Sequence, residues 1–349
     1  MRCRNPSSCP RNDAKGSLKF GAYSSRMRAF LILALFFSIP AFSGQYDAID
    51  AHALSASAME ERSISSLADY LAAPAKDDEE KARAIYRWMT DRIDYDVDAF
   101  IKQGSASPGA ALFSRKGLCS GYAGLFEALA RAAGLEVVTV KGQAKGYGFS
   151  AGGPMLAHEW NAVRINGSWR LVDSTWGAGY VQDGRFVRSF SERYFLASPD
   201  ELAFSHYPDS SSWQLQMRKL TLHEFERLPL PGPAFFNLGI TGEDAWRAVS
   251  RDDFGGEFVH TFDTPYHLVY VKDAPLAYRL HPGRTLHWML ESASFEKMAV
   301  SYGKRWIDMD VKPGAFEKSL AAGESGDITV FGKLPGERSY RAVLAYRVQ

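Results

Sequence analysis

The chain has 349 residues, 23% of them charged, with 41 basic residues against 40 acidic ones. That balance offers no basic domain for nucleic acid, and the length allows about two domains with ample core. Three cysteines, Cys3, Cys9 and Cys119, are too few for a disulfide framework.

Residues 29–39 are an 11-residue apolar run with Ser38 as its one polar residue, preceded by Arg26 and Arg28 and followed by Ala41-Phe42-Ser43. This is a secretory signal pattern, too short to span a bilayer. Residues 1–43 are read as the signal segment, with 1–26 an over-extended start before Met27. The expectation is a secreted or periplasmic protein with no stable membrane span in its mature chain. The segment holds seven of the basic residues and one acidic residue, so the remainder carries a net charge of −5. It also holds Cys3 and Cys9. Cys119 is then a lone thiol in an oxidising compartment, which calls for a reason. The bland alternative is an inert buried cysteine acting as a small hydrophobe.

Residues 46–78 are polar and rich in Ala and Ser, with one helix expected around 64–71. Asp77-Asp78-Glu79-Glu80 places acid at the start of a further helix, where the helix dipole favours it. Ile85, Trp88, Met89 and Ile93 give that helix an apolar face, with Trp88 as core. Residues 104–109 read as a small-residue loop leading to Lys116-Gly117-Leu118-Cys119-Ser120-Gly121-Tyr122. After Cys119, the residues Tyr122, Leu125, Phe126, Leu129 and Ala133 fall at helical spacing, and Gly134 is the stop. Cys119 thus sits at a helix N-terminus, where free amides and the dipole stabilise a thiolate and can face an oxyanion.

Residues 135–140 predict a buried strand. Residues 142–153 are rich in glycine without phosphate-loop spacing, and read either as a mobile rim or as a solvated connection. Residues 160–165 and 169–173 read as strands joined at Asn166-Gly167, a strong hairpin signal. Ser168 leaves a three-residue loop open, which would shift the register. With the two-residue turn, Asp173 falls opposite Trp160, and His158, Trp160 and Asp173 share a face. His158 and Asp173 become diagonal neighbours roughly 7–8 Å apart at the backbone. A helix opening at Cys119 would then dock against that same face. His206, between Phe204 and Pro208 and outside the hairpin, reads as a structural histidine. No second mature cysteine and no histidine pair at ligand spacing suggests zinc.

Residues 228–233, Leu-Pro-Leu-Pro-Gly-Pro, mark a stiff boundary between a domain at 44–228 and one at 229–349. Beyond it, strands are expected at 266–271, 285–290, 297–302, 305–311, 327–331 and 338–348. They imply an all-β sandwich with no catalytic cluster, read as a packing or partner-binding module toward an envelope component.

The ordered pieces resemble the transglutaminase-like superfamily, most nearly its bacterial and kyphoscoliosis-peptidase branch. They are Ala84-Ile85-Tyr86-Arg87-Trp88 with Tyr95-Asp96, Gly117 to Tyr122, and Val140 to Lys145. His158-Glu159-Trp160-Asn161, Trp169 to Trp176, Tyr194-Phe195-Leu196 and His206-Tyr207-Pro208 through Trp213-Gln214-Leu215 complete the set. The resemblance covers about residues 77–228. It implies Cys119 as nucleophile, His158 as base and Asp173 as its orienter. The fold implied is α+β, a papain/transglutaminase-like cysteine-protease fold with helices on one side of an antiparallel sheet, followed by the all-β sandwich-like domain. The reading is cysteine-dependent acyl transfer on peptide or protein amides, needing neither metal nor organic cofactor. The rival is a non-catalytic envelope scaffold that binds peptides on the same fold.

Overall fold

Asn166 and Gly167 both take positive φ, 50° and 77°, the conformation of a two-residue type I′ turn. The turn therefore pairs Ile165 with Ser168, and the register runs on to Asn161 opposite Val172. This is the two-residue alternative of the sequence reading. The hairpin, Leu156–Ile165 and Ser168–Val172, lies in a four-stranded antiparallel sheet. Val137–Ala144 pairs beside its long strand and His206–Pro208 forms the far edge. The computed structural model describes residues 44–102, 108–150, 152–262 and 268–349, and Gly44–Gln349 form one compact unit. The expected signal segment, most of the loop at 104–109 and the start of the strand at 266–271 lie outside the described residues.

The two faces of the sheet bury different material. Val137, Val163, Ile165 and Val172 share a core with three helices, Ile64–Ala72, Asp78–Arg92 and Cys119–Ala132. Val140, Trp160, Ala162 and Leu171 pack on the other face against Ala197 and Leu202. Alternation along a strand explains the division, because each successive side chain changes face. The helix at Asp78 starts as expected, with the Asp77 carboxylate accepting from Glu80 N at 2.9 Å. Trp88 is core, and its indole N–H donates to Glu61 at 2.8 Å. A helix at Asp47–Leu54, which the polar composition concealed, packs against the Asp78 helix.

Residues 142–153 are less loop-like than expected, since Gly142, Gln143 and Ala144 continue the strand. Gly142 pairs with both His158 and Pro208. A Cβ there would meet the Tyr207 carbonyl oxygen at 2.1 Å and the Trp160 ring at 2.9 Å. Lys145 is buried rather than solvated, donating to the carbonyls of Phe225 and Leu228 at 2.6 Å each.

The C-terminal strands form two sheets, in the orders Tyr270–Asp273, Thr285–Glu291, Ala315–Ala321, Asp310–Lys312, and Arg279–Leu280, Arg341–Val348, Gly326–Lys333, Lys297–Tyr302, Arg305–Asp308. The Trp288 indole N–H of one sheet donates to the Tyr346 hydroxyl of the other at 3.1 Å within a shared core. The strand expected at 305–311 is two strands, one in each sheet. The chain changes sheets at Met309, which is buried and donates its N–H to Met298 O at 2.9 Å. The region also contains a helix, Gly242–Val249, with a Thr241–Asp244 capping box. Its segment is therefore not purely β. Phe204 of the preceding region is buried in the same core as the sandwich.

Gly142→Ala should lower stability by about 1–3 kcal/mol or more, the usual cost of overpacking a fixed backbone. Chemical denaturation of the two proteins measures it, and an unchanged midpoint would contradict the close approach of the strands.

Candidate active site

Cys119 is the first residue of its helix, and it is half-buried. Leu118, at the N-cap, offers no side-chain acceptor, so no side chain occupies the amides of the first turn. A parallel bridge, Asp94 with Lys116 and Tyr95 with Gly117, fixes the backbone entering the helix. The Tyr122 hydroxyl donates to Ile93 O at 2.5 Å and holds the first turn from below.

The string His158-Glu159-Trp160-Asn161 divides its work by alternation. His158 and Trp160 point one way, with ring centroids 5.9 Å apart. Asn161 points the other way, and its amide donates to Ala123 O at 3.0 Å, tying the hairpin to the cysteine helix. Asp173 follows the last paired residue of the short strand and caps the helix Ser174–Ala178. Its Oδ1 accepts from the N–H groups of Thr175 at 2.9 Å and Trp176 at 3.0 Å. Its Oδ2 accepts from His158 Nε2–H at 2.8 Å. The string Asp173-Ser174-Thr175-Trp176 is thus a capping turn that immobilises a carboxylate and places Trp176 5.6 Å from the His158 ring.

With Nε2 committed to Asp173, Nδ1 is the His158 nitrogen left for the thiol. The Cys119 side chain adds to the upward shift of the His158 pKa, after the larger effect of Asp173. Here the structure departs from the docking expected above. The cysteine helix packs on the face of Asn161 and Val163, not that of Trp160. His158 has a paired strand on its Gly142 side, while pairing on its other side stops at Asn161. That edge of the long strand is open beside His158, because the short strand ends at Val172. The expectation treated the hairpin as if it ran its full length.

His206 was read as a structural histidine away from the site. It is buried and hydrogen-bonded, but to the site itself: its Nε2–H donates to Asp173 Oδ2 at 3.1 Å. Its Nδ1 contacts the Ser205 hydroxyl at 2.8 Å. The edge strand His206–Pro208 brings it there through pairing with Gly142 and Ala144. No spacing within the sequence signals a contact between residues 173 and 206. The string His206-Tyr207-Pro208, already part of the family pattern, was the one available sign.

The charges sort themselves unequally. Burial alone would lower the His158 pKa, but the Asp173 charge and hydrogen bond, with Cys119, push it up to about 10. Burial lowers that of His206, and the His158 charge adds to the fall against the pull of Asp173, leaving it at about 4. Burial would raise Asp173, yet the two imidazoles hold it well below the usual carboxylate range. One carboxylate therefore serves a charged imidazole and a neutral one.

His158, Asp173 and His206 each offer a metal-ligating atom within 4.8 Å of one another. Sequence spacing missed this grouping because the two histidines come from different strands. Their contacts are hydrogen bonds at 2.8 and 3.1 Å, and an ion would have to displace the Nε2 protons of both rings. The group is satisfied as a proton network. A cavity of about 410 Å³ lies elsewhere, lined by Arg247, Arg251, Asp253, Arg284 and His287 among others and by no residue of this site.

Residues 65–174 match the transglutaminase-like superfamily. A Mus musculus protein named kyphoscoliosis peptidase is 38% identical over 184 residues, 51% of this chain and 28% of that protein. Hillarin of Drosophila melanogaster is 31% identical over 237 residues, 62% of this chain and 28% of its own length. The chain thus spans under a third of these relatives, which are animal proteins and not bacterial ones. A crystal structure described as a TGase is 18% identical, covering 46% of this chain and 40% of its own, with a TM-score of 0.26.

Imidazole nitrogen NMR should find His158 protonated at pH 8 and His206 neutral at pH 5.5. The stability consequences have opposite signs. The His158 contribution is complete below its unfolded value of about 6.5 and fades as pH rises toward 10. That of His206 is complete above about 6.5 and fades as pH falls toward 4. Two rings titrating together near their ordinary value would contradict the assignment.

Proposed function

This chain belongs to the transglutaminase-like superfamily, and from that premise we propose that it is a cysteine-dependent acyl-transfer enzyme acting on peptide or side-chain amides. Cys119 is the nucleophile, His158 the general base and acid, and Asp173 the group that fixes the imidazole. The observation that carries the proposal is the His158–Asp173 hydrogen bond at 2.8 Å, on a ring whose pKa Cys119 also helps to raise. A scaffold has no need of that arrangement at the N-terminus of a helix.

The chemistry follows from the placement. Asp173 holds Nε2–H, the proton given up by the thiol resides on Nδ1 of the imidazolium, and the Cys119 sulfur attacks the carbonyl carbon as thiolate. The amides of the first helical turn face the oxygen on which negative charge develops. His158 then returns the proton to the leaving amine, and a thioester remains on Cys119. Water activated by the same imidazole releases the acid, whereas an amine acceptor gives a new amide. The name of the murine relative, a peptidase, favours water. Trp160 and Trp176 wall the imidazole and shield the ion pair.

We place the enzyme outside the cytoplasm, on the charged, apolar and small-residue order of residues 26–43. N-terminal sequencing of exported material should then begin near Gly44, and a chain beginning at Met1 or Met27 would count against it.

Cys119→Ala should remove activity by several orders of magnitude while leaving the fold intact, and His158→Ala should be comparably damaging. Asp173→Asn should retain more residual rate, since the carboxylate orients rather than transfers the proton. Peptide release and amine incorporation, measured side by side, separate hydrolysis from cross-linking. Full activity in Cys119→Ala would end the proposal.

A further inference from the structure

Asp173 is fully buried and has four acceptor positions, two on each oxygen. All four are filled. Thr175 and Trp176 amides occupy Oδ1, and His158 and His206 occupy Oδ2. Three of these donors belong to elements the proposed mechanism already uses. The fourth, His206, comes from a different strand.

Its surroundings fix its donor. Ser205 Oγ lies 2.8 Å from Nδ1 and 3.2 Å from Leu202 O, so its single proton serves the shorter contact. Nδ1 then accepts, and Nε2 must carry the proton that points at Oδ2. The ring is clamped, with centroids 4.5 Å from Trp176 and 5.1 Å from Trp160. These are the same two indoles that flank His158, itself 5.2 Å away.

We propose that His206 is a positioning residue of this site, whose Nε2–H occupies Asp173 Oδ2 and divides that oxygen's acceptor strength between two imidazoles. The proposal rests on the assignment of Cys119, His158 and Asp173 above. Its consequence is a restraint on the base. An Oδ2 that served His158 alone would hold the imidazolium more tightly and make it a poorer proton donor to the leaving group. His206 also bars Oδ2 from turning toward Ser205 or a solvent proton. Its neutrality fits, because a second positive ring beside His158 is opposed both by burial and by charge repulsion. The other titratable and charged groups acting here are Cys119 and Tyr122 from the cysteine helix, Tyr86 from the helix at Asp78, Tyr95, and Arg193 and Tyr194 after the hairpin. All are present in each variant below.

The test is the pH dependence of Cys119 alkylation by iodoacetamide, which needs no known substrate. It uses the chain from Gly44 onward, in which Cys119 is the sole cysteine. Wild type should show an upper ionisation belonging to His158, absent in His158→Ala. His206→Phe keeps the ring volume but removes the donor, and should raise that ionisation by about half a pH unit, roughly threefold in its constant. His206→Gln, which restores an N–H donor, should return the profile toward wild type. Ser205→Ala frees the tautomer and should shift the profile in the same direction by less. A His206→Phe profile that superposes on wild type overturns the inference and spares the triad. If that variant does not fold, a Ser205→Ala profile identical to wild type overturns it instead. A wild-type profile unaffected by His158→Ala would overturn both assignments.

Discussion

The Asp173 carboxylate is the fixed point of this structure. It is fully buried, and an unpaired buried carboxylate would be expelled or protonated. Four N–H donors from three segments keep it ionised, and each donor constrains a different part of the chain. The two amides start a short helix exactly where the hairpin strand ends, the first imidazole belongs to the long strand, and the second to the sheet edge. Loss of the carboxylate would free a helix start, the His158 ring and an edge strand together.

That constraint also explains why the hairpin is asymmetric. The short strand must stop at Val172 so that Asp173 can turn inward and cap Ser174–Ala178. Stopping there leaves the long strand open on that side beside His158. Asn161 sets the distance, because its hydrogen bond to Ala123 O spans from the sheet to the first turns of the cysteine helix. Gly142 serves the same end from the opposite side, since only a residue without Cβ lets the His206 strand come close enough.

Much of this was legible in the sequence because it depends on local rules. The Asn166-Gly167 turn set the register, and register set which residues are diagonal neighbours. The helix start at Cys119 followed from apolar spacing and from Gly134, which takes φ of +82° at its end. What escaped was non-local. His206 lies 33 residues from Asp173, and the pairing that joins them is antiparallel edge pairing without a hairpin signal. The face of the cysteine helix escaped because alternation says which residues share a face but not on which face a helix packs, and it packs on that of Asn161 and Val163. In the C-terminal region, the single strand expected at 305–311 concealed a change of sheet at Met309, which periodicity alone does not mark.

The central claim is that Cys119 is a nucleophile governed by His158 and Asp173. Acylation by an activated ester, followed by intact mass, tests it most directly. Cys119 is the sole cysteine after residue 43, so a single thioester adduct is assigned without ambiguity. The account predicts one acyl group per chain, formed rapidly in wild type, far more slowly in His158→Ala and at an intermediate rate in Asp173→Asn. Equal acylation rates in all three proteins, or acylation that persists in Cys119→Ala, would contradict it.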